Sequence, residues 1–272
     1  MKEYLFSPNA FLKEVESLLN QMAAKKGITD LDKYFKVESK LDLANLSKDV
    51  TISSVFARLI GSQQNRSMMP HVIKYWDYQY TLFDKVLLHH DPKSVLDTYN
   101  DDAGKLYAAI LDEWPKDAKA LDVEMKGLWA QWCKAVLSAA KFLVQFKSIN
   151  ELHDSFHTLY RNTWTKPALP ALLAMEIDGL QFTLACDFLK ECGYDYPKPD
   201  GHITDVFEPI LKTRDTYQVF KAVIAYAEQL NMTAFQFDKM IWLVCSGNFY
   251  LDKQRCPDRK ADLLKFVESL TH

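Results

Sequence analysis

The sequence predicts an all-α protein, and three observations carry that prediction. Apolar residues recur at helical spacing along almost the whole chain. Only 8 Gly and 10 Pro occur in 272 residues, too few for the frequent tight turns of a many-stranded sandwich or barrel. No segment alternates apolar and polar residues convincingly, and Lys36-Val37-Glu38 is the one short candidate for a strand.

Taken in order, Ser7 and Pro8 open a first helix as N-cap and first helical residue. Phe11, Val15, Leu18 and Leu19 mark its apolar face, and Gly27 closes it. Helical patterns follow over 51–63, 67–76, 80–90, 93–100, 102–114 and 122–146. A further group covers 149–161, 167–176, 180–192, 202–213, 216–231, 233–246 and 258–270. Phe235 to Tyr250 reads as a buried helix ending near Gly247. A fixed-period repeat is absent, so a solenoid is not expected. The expected organisation is an N-terminal helical extension (1–50), a central helical lobe (51–165), and a segment (166–272) whose last helices pack with the N-terminal region.

Composition bounds the function. Hydrophobic residues at 48% and charged residues at 25% are the balance of a soluble globular protein. A net charge of −3 gives no global basic signature, so binding to nucleic acid has to rest on local features. The opening MKEYLFSPNAF has no long apolar region or cleavage pattern, and the most apolar run, Ala135 to Phe146, is interrupted by Lys141. Neither a signal peptide nor a membrane span is expected. Cys133, Cys186, Cys192, Cys245 and Cys256 are scattered and form no CxxC, as expected of reduced, core-filling thiols in an intracellular protein.

The stretch IDGLQFTLACDFLKECGYDYPKPDGHI, Ile177 to Ile203, carries the sharpest signal. A turn from Ile177 to Gln181 joins two short helices, with Ile177 and Leu180 facing inward. The first N–H groups of the second helix, at the positive end of its dipole, suit a phosphate oxygen. Beyond Gly193 the chain bends through Pro197 and Pro199 to Asp200, placed at the start of the next helix. An N-cap is the ordinary duty of such an aspartate.

These residues resemble the helix-hairpin-helix DNA glycosylase superfamily, which contains endonuclease III and the adenine glycosylases. Its hairpin reads roughly L-P-G-V-G-x-x-T-A, and Ile177, Asp178, Gly179, Leu180, Gln181 and Ala185 stand in those places. Its catalytic aspartate lies in V-D-T-H-V/I, matched by Pro199-Asp200-Gly201-His202-Ile203, with Asp200 standing 21 residues after Gly179. A helix ending like I-L-S-Q-Q-T is matched by Leu59-Ile60-Gly61-Ser62-Gln63-Gln64-Asn65. The resemblance covers about 50 to 215. It implies a two-lobed helical fold with a cleft and hydrolysis of the N-glycosidic bond of a damaged or mispaired base flipped from duplex DNA. It also implies Asp200 as catalytic carboxylate and Gln63 or Gln64 as the wedge filling the vacated gap. DNA contacts then fall at Asn65, Gly179, Leu180, Gln181, Thr183 and His202, and hairpin carbonyls are implied to hold an alkali cation.

The residue types fit that chemistry. Extruding a base costs a few kcal/mol, least at damaged pairs. Cleaving the bond builds positive charge on the sugar, which a fixed carboxylate stabilises while orienting water. Thr183 stands where bifunctional relatives carry lysine, so no Schiff base is expected there; Lys190 is a distant substitute. Only Cys245 and Cys256 follow Asp200, too few for an iron–sulfur cluster. Gln181 replaces the second hairpin glycine, a costly exchange if that position needs positive φ. Residues 177–215 carry eight acidic and four basic side chains, the reverse of a usual DNA-facing surface; Arg58, Arg66, Arg161 and Lys166 are the candidates to offset them.

Two other readings come from other classes. A non-catalytic helical DNA- or protein-binding member of the same fold accounts for Gln181 and the acidic excess. A metal-dependent hydrolase would use His153 and His157, two imidazoles at i and i+4, although no third ligand is evident. His89-His90 reads as a helix C-terminus, where cationic imidazole complements the dipole. Trp76 to Tyr80, Trp129 and Trp132 read as core aromatics.

Overall fold

The computed structural model describes residues 7–36, 40–66, 68–116, 118–162 and 165–270. The chain is all-α apart from one two-residue ladder. The helices are α1 (Pro8–Lys26), α2 (Asp32–Phe35), α3 (Ile52–Gln63), α4 (Met69–Ile73), α5 (Tyr75–Tyr78), α6 (Asp84–Val86), α7 (Pro92–Tyr99) and α8 (Ala103–Glu113). They continue as α9 (Gly127–Leu143), α10 (Ile149–Tyr160), α11 (Ala168–Glu176), α12 (Phe182–Glu191), α13 (Gly201–Leu211), α14 (Thr216–Gln229), α15 (Ala234–Ser246) and α16 (Lys260–Leu270). Strands β1 (Asn248–Phe249) and β2 (Gln254–Arg255) pair antiparallel, Asn248 opposite Arg255. No helix among the described residues is long and apolar enough to cross a membrane.

Local chemistry sets most boundaries. Pro8 starts α1, and Gly27, at φ +66, closes it by donating to Ala23 and Ala24 carbonyls. Thr51 and Ser54 form a reciprocal capping box on α3, as do Thr233 and Gln236 on α15. Aspartates cap α7, α8, α13 and α14. The expected helices over 67–76 and 80–90 are broken. Lys74 is left-handed at φ +54 between α4 and α5, and Gln79–Phe83 forms a π-turn before α6. After α6, Leu88, His89 and His90 are consecutively left-handed at φ +52, +57 and +56. Val37 and Glu38, two residues of the candidate strand, lie outside the described residues. Neither α2 nor the ladder was legible as a pattern.

His90 also departs from expectation. Its ring is 6% exposed, with Nε2 2.9 Å from the Tyr75 hydroxyl and Nδ1 3.6 Å from Asp84. Burial holds it below its ordinary value of 6.5, against the opposing pull of Asp84, which disfavours the cationic form expected at a helix end. His89 instead meets Asp84 at 2.8 Å and is exposed.

The chain forms two compact units, Met1–Glu38 with Asp195–His272, and Ser39–Tyr194. In the first, α1 packs on α15 and α16, and α13 packs on α14, α15 and α16. Phe11 meets Phe237 at 5.7 Å between ring centres, and Phe207 meets Tyr226 at 5.6 Å. In the second, α9 is the central helix, packed by α3, α4, α7 and α8. Its Trp132, Cys133, Val136, Leu137, Ala139 and Ala140 are all buried, on a broad apolar face that leaves Gln131, Lys134 and Lys141 exposed on the other side. The α11–α12 hairpin belongs to this central unit, whereas the sequence pattern groups it with the C-terminal helices. The reason is apolar contact: Leu173, Ile177, Leu180, Leu184 and Leu189 are buried, and α12 packs on α3.

Candidate functional site

The hairpin turn forms as its residue types require. The Leu180 N–H donates to the Ile177 carbonyl at 3.1 Å, closing a four-residue turn with Gly179 third, at φ +76. A Cβ at Gly179 would meet the Ala135 methyl at 3.0 Å, so both the backbone angle and the neighbouring helix demand glycine. Ile177 and Leu180, each 1% exposed, anchor the turn, while Asp178, Gly179 and Gln181 are exposed. Gln181 sits at the N-cap position of α12 with φ −67 and ψ 160. It is therefore unstrained, and the missing second glycine costs nothing at this backbone angle. Thr183 is half-buried in the first turn of α12.

The turn is tied to its surroundings by polar contacts from elsewhere in the chain. The Asp178 N–H donates to Ser138 Oγ on α9 at 2.9 Å. Gln63 Nε2 donates to the Ala135 carbonyl at 3.1 Å and reaches the Asp178 carbonyl at 3.4 Å. Of the hairpin carbonyls, that of Ile177 accepts the Leu180 N–H and that of Asp178 faces Gln63 Nε2, which leaves each oxygen a second lone pair.

Gln63 and Gln64 do not form a wedge. They are 2% and 1% exposed, and Gln64 Oε1 accepts the Tyr75 backbone N–H at 3.0 Å. The Gln63 N–H and the Gln64 carbonyl oxygen are thus paired in the interior, while Gln63 Oε1 is buried without a hydrogen-bond partner among the described residues. Asn65, the next residue, is exposed yet donates to Asp187 on α12 at 2.9 Å. Lys190 pairs with the same carboxylate at 3.0 Å, both side chains being largely buried. Its ammonium is thereby committed to an ion pair inside α12 rather than offered as a nucleophile.

Asp200 belongs to the other unit. It stands at the N-cap of α13, where Oδ1 accepts the N–H groups of His202 at 2.9 Å and Ile203 at 3.2 Å. The side chain is half-buried. Its second carboxylate oxygen has no hydrogen-bond partner among the described residues, so the cap fixes the group while leaving one oxygen for other chemistry. His202 is half-buried next to it, and its Nδ1 is buried without a hydrogen-bond partner. An open hollow of about 610 Å³ between α13 and α16 is lined by Asp205, Glu208, Lys212 and Lys260, further along the helix than Asp200, and does not include it.

The acidic excess of 177–215 is mostly structural. Asp187 and Glu191 face Lys190, and Asp205 and Glu208 face Arg214, with Lys260 also on Asp205. Burial pushes the Asp205 carboxyl up, but Lys260 and Arg214 outweigh it and hold the group below its ordinary value. Asp195 accepts from the first N–H groups of α15, and Asp200 and Asp215 cap α13 and α14. Asp178 is the one acid of the eight with neither an ion pair nor a capping bond among the described residues. Of the basic candidates, Arg58 is spent on Trp76, 4.6 Å away, and on Glu191. Lys166 lies 5.0 Å over the Tyr160 ring, and Arg161 and Arg66 are exposed.

His153 and His157 stack face to face at 5.1 Å, and His153 Nδ1 lies 2.9 Å from Asp154. Burial, Arg161 and His153 hold His157 below its ordinary value. No group of three or more His, Cys, Asp or Glu is arranged to hold a metal ion among the described residues. Sequence reasoning missed Ser138 and the tie of Asp187 to Asn65, whose roles arise only from contacts across the fold. No family model, curated protein or solved structure matches the chain.

Proposed function

We propose that the protein is a monofunctional DNA glycosylase that hydrolyses the N-glycosidic bond of a damaged or mispaired base, with Asp200 as its carboxylate. The single observation that supports this most is the way Asp200 is held. One oxygen is fixed by two backbone N–H groups, and the other has no partner among the described residues. The hairpin with Gly179 left-handed precedes it in chain order, as the family pattern requires. In the proposed reaction the C1′–N bond breaks with its electron pair departing on the base. The Asp200 carboxylate stabilises the cationic sugar and takes a proton from the water whose oxygen bonds C1′. The departing base takes its proton from solvent. No lysine amine takes part.

The test is base release from duplexes carrying single lesions, compared with Asp200→Asn. Asparagine keeps an acceptor for the cap and removes the charge, so the fold should persist, by circular dichroism, while release falls at least a hundredfold. Release unchanged in Asp200→Asn, or absent for every lesion, removes the catalytic assignment. Absence favours the second reading, a non-catalytic helical binding protein, which the capping duty of Asp200 and the interior positions of Gln63 and Gln64 also support.

A further inference from the structure

The α9 helix carries a polar stripe that links two places in the central unit. Gln131, Lys134, Ala135 and Ser138 stand at helical spacing on one side of it. Arg66, in the loop after α3, donates from Nη1 to Gln131 Oε1 at 3.1 Å. Seven residues on, Ser138 accepts the Asp178 N–H at 2.9 Å, and between them Ala135 abuts Gly179. The loop and the hairpin turn are thus pinned to one stripe roughly 10 Å apart along its axis. Lys134 projects between them, exposed and with no carboxylate partner among the described residues. Arg66 is exposed too, its guanidinium held by an amide rather than an acid. The flanking sequence agrees: from Val50 to Trp76 there is no Asp or Glu, in a chain whose net charge is −3.

We propose that Arg66 and Lys134, set along the polar stripe of α9, form a strip that binds the sugar–phosphate chain of DNA. This rests on the DNA reading above and names where the phosphates lie. A span of roughly 10 Å equals about three base steps of rise along the duplex axis, so two cations at that spacing suit phosphates that are near neighbours on the duplex. Charge complementarity selects this occupant: the stripe is cationic and polar where the rest of the chain is on balance acidic, and its amide and hydroxyl groups suit phosphate oxygens. Asp178 is the exception. Its uncompensated carboxylate lies at the end of the strip and weakens binding there, which gives the proposal a second, opposite sign to test.

The experiment uses the full chain and a fluorescein-labelled duplex, with binding read by anisotropy across a salt series. Arg66→Ala and Lys134→Ala should each weaken binding several-fold at low salt and lower the slope of log affinity against log salt by about 1. Asp178→Asn should tighten binding several-fold. Lys93→Ala, which removes the exposed partner of Asp97 on α7, should change neither quantity. Binding unaffected by Arg66→Ala and Lys134→Ala overturns the strip, and if Asp200-dependent base release persists, the glycosylase reading survives that failure. Binding that depends on the strip without base release from any lesion upholds the strip and removes the glycosylase. Absence of duplex binding removes both, and loss of a co-purifying protein on Lys134→Ala without DNA binding would mark the strip as a protein interface instead.

Discussion

Replacing Gly179 with alanine tests the geometry of the hairpin most directly, because two separate demands meet at one atom. The backbone there has φ +76, and a Cβ-bearing residue held left-handed costs about 1–2 kcal/mol. The added methyl would also lie 3.0 Å from the Ala135 Cβ on a central, buried helix with little room to yield, and overpacking of this kind costs about 1–3 kcal/mol. Alanine restricts the unfolded chain more than glycine does, which returns about 0.4–1 kcal/mol. The net loss is expected to be about 1–4.5 kcal/mol, measured as a fall in urea midpoint at constant slope. Ala135→Gly separates the two causes. Alone it should cost about 1 kcal/mol through helix propensity. Combined with Gly179→Ala it should relieve the crowding but not the backbone strain, so the double variant should be less destabilised than the sum of the single changes. Gly179→Ala within 0.5 kcal/mol of the native protein, or strict additivity of the pair, would falsify this account of the turn.

Two further outcomes follow from other sites. His90 is buried beside Asp84, His89 and Tyr75, and its folded value lies below the ordinary 6.5, so the unfolded chain binds more protons below that pH. Its contribution is present above about 6.5 and is lost as pH falls; urea stability should therefore drop between pH 7.5 and 5.5, and drop less in His90→Gln, an equal drop in both refuting the assignment. Gly61→Ala would place a Cβ 2.2 Å from the Trp76 ring. The gain of about 1 kcal/mol in helix propensity should be exceeded by loss of the ring's packing and of its Arg58 stack, with red-shifted tryptophan emission; a stabilised variant with unchanged emission contradicts this.

Much of the fold was legible because its signals are local. Ser7-Pro8, Gly27, Asp200 and Gly247 mark helix ends through chemistry confined to a few residues. The 67–90 region was not legible, because its helical periodicity is real while its geometry is broken at Lys74 and at Gln79–Phe83 by contacts such as Gln64 with the Tyr75 N–H. The same holds for Gln63 and Gln64. A polar pair at a helix end looks exposed in sequence, and only the Ala135 carbonyl and the Tyr75 amide, from distant segments, make it interior. Gln181 looked costly because its backbone angle cannot be read from residue type. The acids of 177–215 could be counted but not assigned, since their partners Arg214 and Lys260 are fixed by packing of α13 with α16.

All five cysteines are buried, three in the central unit (Cys133, Cys186, Cys192) and two in the other (Cys245, Cys256). Burial pushes the Cys133 and Cys192 thiols well above their usual range and Cys245 up to about 12, so the reactive thiolate is scarce while the helices stay closed. The chain therefore carries its own set of clocks. Modification by a small alkylating reagent, read by mass at each cysteine, times the opening of one unit independently of the other, without any foreign reporter placed in either.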